Sequence, residues 1–143
     1  MKHSLLFDAS SIFTLVRELR GEAPDKLREG STISLAHYEL GNALWRECFL
    51  LKRISQKEAE NSLRAMFAIL HSMNVAMLEN EDEGNTVLDK ACKFNITYYD
   101  SAYVTEAQKS KKILVTDDKE LAKAAKNAGV KTLTSKALIT EQP

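Results

Sequence analysis

Five short apolar runs, SLLF (residues 4–7), STISLA (31–36), NVAML (74–78), ILVT (113–116) and VKTL (130–133), alternate with longer stretches of helical periodicity, and this alternation constrains the fold most. Runs this short fit strands, and parallel neighbours need crossover connections, which the intervening stretches supply as helices. Ile12, Leu15, Val16 and Leu19 recur at helical spacing after the first run, and Leu40, Ala43 and Leu44 do so after the second. Ser55 opens a further helix whose Leu63, Met66, Phe67 and Leu70 form an apolar stripe, so the two central helices are expected to pair as a hairpin. Residues 81–95 begin acidic, which suits a helix N-terminus, although Gly84 weakens the first turn. A helix is expected from about Asp100, and another after ILVT is stopped by Gly129. The tail from Ser135 shows no decided pattern. The expectation is an α/β fold with a parallel sheet covered by helices on both faces. Trp45, Phe49, Met66 and Phe67 are assigned to its core.

At 143 residues the chain fits a single domain, 1–143, and buries enough surface for a real core. Twenty basic residues balance twenty acidic ones, which excludes a protein that holds nucleic acid by an overall positive field. Two distant cysteines, Cys48 and Cys92, give neither a disulfide framework nor a CxxC zinc motif. The apolar stretch before Asp8 is too short for a signal peptide or a membrane span, so a soluble cytoplasmic protein is expected.

In open parallel sheets, ligands bind beyond the carboxyl ends of the strands. Asp8 directly follows the first apolar run, and Asp117 and Asp118 follow ILVT in the same way. Glu39 falls in the first turn of the helix after the second run, and Asp100 begins the helix leading into ILVT. Singly, such residues serve as N-caps or favourable first-turn charges. Together they repel one another and raise each other's pKa, an arrangement that a cation relieves. Oxygen donors without a histidine or cysteine cluster select Mg²⁺ or Mn²⁺.

Other chemistries lack their motifs. With five glycines, the chain has no GxGxxG and no GxxxxGK[ST], and it has no GxSxG elbow. His3, His37 and His71 have no metal-ligand spacing. Lys109, Lys111 and Lys112 read as a solvated helix end. A receiver-like phospho-aspartate domain also gathers acids at strand ends around Mg²⁺, but its acid doublet would follow the first strand.

FDASSIF, YELGNALWR, YYDSAYVTEA and LVTDDKELAKAA, in this order and across nearly the whole chain, resemble the four signature blocks of PIN-domain ribonucleases, especially VapC-like toxins of prokaryotic toxin–antitoxin pairs. The resemblance implies a three-layer α/β/α sandwich with about five parallel strands and Mg²⁺- or Mn²⁺-dependent endoribonuclease activity. It also implies an RNA substrate, frequent homodimers and a small antitoxin partner. Asp8, Glu39 and Asp100 match the most characteristic acids, and the fourth falls on Asp118, with Asp117 assisting or replacing it. Asp8, Asp100 and Asp118 would be metal ligands, and Glu39 would ligate or orient a water. Ser10 and Thr116 match small hydroxyl residues that support the metal shell, and Asn42 a polar residue on the face of Glu39. The non-enzymatic alternative is a PIN-like module that binds RNA or protein without cutting.

Overall fold

The computed structural model describes residues 4–140. His3 lies outside them. The element order is β1 (Leu5–Phe7), α1 (Ala9–Leu19), α2 (Ala23–Leu27), β2 (Ser31–Ile33), α3 (Leu35–Trp45), α4 (Gln56–His71), β3 (Asn74–Ala76), α5 (Glu81–Phe94), α6 (Tyr98–Ser110), β4 (Ile113–Val115), α7 (Lys119–Asn127), β5 (Thr132–Leu133) and α8 (Ser135–Thr140). The five strands form one sheet in the order β3-β2-β1-β4-β5, and every pair is parallel.

Alternation along the strands builds a core on each face. Leu5, Phe7 and Val115 point to one side, where they pack with Ile12 and Leu15 of α1, Leu40 and Leu44 of α3, and Met66 and Leu70 of α4. Leu6 and Leu114 point to the other, against Tyr103 and Val104 of α6 and Leu121 and Ala125 of α7. The result is the expected three-layer α/β/α sandwich. Its strand order differs from the 2-1-3-4-5 order of receiver domains, which removes that alternative.

Local chemistry explains the boundaries. Ser55 and Glu58 form a reciprocal capping box that starts α4 (Glu58 N–H to Ser55 Oγ 3.0 Å, Ser55 N–H to Glu58 Oε1 2.9 Å). Thr97 caps α6 by accepting from the Asp100 N–H at 3.0 Å, so that helix starts at Tyr98, earlier than expected. Gly129, at φ +82°, adopts the left-handed backbone that follows the end of α7. Gly84 sits inside α5 without breaking it. The undecided tail from Ser135 forms α8.

One core assignment is corrected. Met66 is buried and Phe67 packs against the core, but Trp45 and Phe49 are 48% and 60% exposed. Ala36, Leu40 and Leu44 are the buried, fourth-residue stripe of α3, and Trp45 begins the adjacent, outward row. The helix then passes into a π-helical turn, Arg46–Leu50, and the Trp45 and Phe49 rings stack on each other at 5.8 Å.

Candidate active site

In this sheet the chain lays β2 and β3 on one side of β1, then returns to place β4 and β5 on the other. The crossover point is therefore the gap between β1 and β4, where an open α/β sheet presents its binding crevice. Asp8 leaves β1 and donates its N–H to the Val115 carbonyl of β4 at 3.1 Å. The Ser11 hydroxyl reinforces the junction by donating to Val115 O at 2.8 Å and Asp8 O at 3.0 Å.

A cleft of about 400 Å³ opens there, and its walls include Asp8, Ser10, Glu39, Asn42, Asp100 and Asp118. Asp8 is buried. Its carboxylate accepts from the Ser11 N–H (2.9 Å), the Ser10 hydroxyl (2.8 and 2.9 Å to its two oxygens) and the Thr116 hydroxyl (2.5 Å). Thr116 Oγ1 in turn accepts from the Asp118 N–H at 3.0 Å, so the two hydroxyl residues link the acids after β1 and β4. Asp118 caps α7 with one oxygen, Oδ1, which accepts from the N–H groups of Glu120 and Leu121 at 2.9 and 3.2 Å. Asp100 is different. Thr97 holds the cap of α6, and among the described residues no hydrogen bond or ion pair satisfies the Asp100 carboxylate.

The electrostatics follow from this crowding. Burial raises the pKa of Asp8 above the ordinary aspartate value, against the opposing hydrogen bonds of Thr116, Ser11 and Ser10. Burial also raises Glu39, and Asp8, Asp100 and Asp118 push it further, while the Tyr103 hydroxyl works the other way. Asp100 is raised by burial and then by Asp118 and Asp8. None of the ion pairs among the described residues involves these acids. An all-oxygen set whose members destabilise one another's charge fits a hard divalent cation. No group of three or more His, Cys, Asp or Glu side chains among the described residues is arranged to enclose an ion. Mg²⁺ commonly keeps several waters beside one or two carboxylates, so an open acidic cleft suits it.

The chain is 32% identical over 127 residues to Exonuclease VapC9 of Pyrobaculum aerophilum, a match covering 86% of each protein. The chain belongs to the VapC family of PIN-domain proteins. A second VapC relative, Ribonuclease VapC3 of the same organism, is 34% identical over 125 residues, which cover 82% of this chain and 92% of that protein. Among solved structures, that of PAE2754 from Pyrobaculum aerophilum superposes with a TM-score of 0.73 at 29% identity, covering 96% of this chain and 94% of the other. A chain of a toxin-antitoxin complex from Klebsiella pneumoniae shares the fold at a TM-score of 0.63, with 18% identity over 92% of this chain and 98% of that one. No family profile matches the chain.

Within this VapC fold, Asp8, Glu39, Asp100 and Asp118 share one cleft, and Asp117 is not part of its lining. Both Asp117 oxygens are engaged by Ser135, whose N–H and hydroxyl donate at 2.8 and 2.6 Å, and the Asp117 N–H donates to Ser10 Oγ at 3.1 Å. Asp117 thus ties α8 to the sheet edge. Asp117→Ala is expected to cost about 2 kcal/mol of unfolding free energy, since two hydrogen bonds to a carboxylate go and the buried Ser135 loses both, and to leave a Mn²⁺-induced thermal shift intact. Asp118→Asn should weaken that shift. Urea titration with and without Mn²⁺ separates the two outcomes.

Tyr103 and Arg46 also line the cleft, and the motif reading passed over both. Each carried a positional signal. Tyr103 lies three residues after Asp100, on the same face of α6, and Arg46 lies two helical turns after Glu39. Lys109 pairs with Glu83 at 3.0 Å, and Lys112 donates to Ser31 Oγ at 3.0 Å, so these two lysines of the basic cluster serve structural contacts.

Proposed function

We propose that this chain is a Mg²⁺- or Mn²⁺-dependent endoribonuclease, the toxin of a toxin–antitoxin pair. The observation that carries the reading is the convergence of Asp8, Glu39, Asp100 and Asp118 on one cleft at the sheet's crossover point, with no hydrogen bond or ion pair to the Asp100 carboxylate among the described residues. A bound divalent ion would supply Lewis acidity, lowering the pKa of a water beside the phosphate and offsetting negative charge in the transition state. Asp8, Asp100 and Asp118 would hold the ion, and the helix cap of Asp118 uses only its Oδ1. Ser10 and Thr116 hold Asp8 in place by donating to it. Glu39 would join the ion's oxygen set, directly or through a bound water that it orients. Asn42 on α3 and Arg46 in the turn that continues it line the same cleft and offer polar contacts to RNA.

The names of the two relatives bear on the mode of cleavage, since one is an exonuclease and the other a ribonuclease. Circular and linear single-stranded RNAs of one sequence separate the possibilities. Cleavage of both in Mg²⁺ or Mn²⁺, abolished by EDTA, is the expected result. Attack on the linear form alone overturns the endonucleolytic reading. Binding without cleavage in either metal returns the chain to the non-cutting alternative.

Two partners complete the proposal. A second copy of the chain is supported by an apolar groove of about 730 Å³ lined by Leu35, Tyr38, Met77, Leu78, Tyr98 and Tyr99, in which Tyr38 and Met77 are largely exposed. A small antitoxin is supported by the exposed ridge of Trp45, Phe49, Leu50 and Leu51, which continues α3 from the cleft. No described helix is long and apolar enough to cross a membrane.

A further inference from the structure

Glu39 and Asp100 belong to helices on opposite faces of the sheet, and α3 and α6 pack little against each other directly. One hydrogen bond joins them at the cleft. The Tyr103 hydroxyl, on α6, donates to Glu39 Oε1, on α3, at 2.7 Å. Tyr103 is 1% exposed and sits in the core beside Leu6, Val104 and Leu121, so its ring is a fixed post. Glu39 has the opposite circumstances: a flexible side chain, half-buried, facing three other carboxylates that repel it. Left to that repulsion, Glu39 would swing towards solvent. A buried hydroxyl donating to one oxygen opposes that movement and leaves Oε2 with no hydrogen bond among the described residues.

We propose that Tyr103 is a positioning residue, an interhelical strut that holds Glu39 at a fixed distance from Asp100 and so presets the cleft for a divalent ion. The inference rests on the metal-dependent nuclease reading above. A rigid acid matters most to Mg²⁺, which demands near-ideal octahedral geometry. Residues that orient a ligating group typically influence metal affinity by about 10- to 100-fold.

The test is a double-mutant cycle between Tyr103→Phe and Glu39→Ala, which removes the acceptor outright, read by calorimetric titration of Mg²⁺ and Mn²⁺ and by cleavage of single-stranded RNA. Tyr103→Phe is expected to weaken Mg²⁺ binding by about 10-fold while the metal-free protein keeps its far-UV spectrum. In the Glu39→Ala background the same change should have no further effect, because the strut has nothing left to hold. Equal Mg²⁺ affinity in wild type and Tyr103→Phe overturns the proposal, and so does an undiminished loss in the Glu39→Ala background, which marks a core residue acting through the fold. Wild type that binds Mg²⁺ without cleaving RNA refutes the nuclease reading and leaves the strut standing. Should Tyr103→Phe fail to fold, ¹³Cζ-labelled tyrosine in the wild type gives the second measurement. The Tyr103 signal must move on adding Mg²⁺ and in Glu39→Ala, and a signal indifferent to both overturns the strut.

Discussion

Asp100→Asn is expected to lower metal-dependent RNA cleavage by more than the roughly 100-fold upper range for a residue that merely orients a ligand, because this carboxylate is proposed to touch the ion itself. The same substitution should make the metal-free protein more stable at neutral pH. The Asp100 carboxylate has no hydrogen-bond partner among the described residues, and burial together with Asp118 and Asp8 raises its folded pKa above the ordinary aspartate value of 3.8. An acid raised on folding binds its proton more tightly in the native state, so native stability is favoured while the group is protonated. That contribution is fully present below about pH 3.8 and is lost as pH rises through the raised folded value. The variant, which carries no charge, escapes the loss. Its thermal midpoint should exceed wild type's at pH 7 and converge on it in acid. Lower stability of Asp100→Asn than wild type at pH 7, in EDTA, would remove the electrostatic basis of the site. Undiminished cleavage by a folded Asp100→Asn would remove the mechanism.

Millimolar Mn²⁺ or Mg²⁺ should raise the melting temperature of the wild type, since an ion that binds only the folded state stabilises it by mass action. The gain is about 2.7 kcal/mol at 100 times the dissociation constant, enough for a shift of several degrees in a chain of this size. The Asp8→Asn, Asp100→Asn double variant tests where the ion sits. Its shift is expected to vanish, and an equal shift in both proteins would place the ion outside the cleft. Thermal scans at several metal concentrations also return the affinity, because the midpoint climbs with the logarithm of free ion once the site is filled.

Most of the fold was legible because period carries so much of it. Leu5, Leu6 and Phe7 form a buried strand whose alternate residues feed two cores, and the stripe of Leu63, Met66 and Leu70 could only be one face of a helix. The acids were legible by position, since parallel strand ends share an edge and Asp8 and Asp118 each stand just past one. Other features depended on contacts that no local pattern encodes. Asp117 and Asp118 are chemically identical, and what separates them in the structure is Ser135, in a tail without clear periodicity that forms α8. Trp45 and Phe49 are apolar enough for a core, but the angular drift of α3 carries them outward. Tyr103 reads as an ordinary core aromatic until the geometry places its hydroxyl on Glu39.

Strand β1, laid down first in the chain, is the centre of the sheet, and its far neighbour β4 comes near the end. Asp8 and Asp118 therefore stand 110 residues apart in sequence yet become neighbours through Thr116. The cleft is assembled only when β4 inserts beside β1. If the cleft is where RNA is cut, the cutting centre depends on the most sequence-distant strand pairing of the sheet, Leu6 beside Leu114, so whatever loosens that one pairing disarms the site while leaving the β1–β2–β3 half in place.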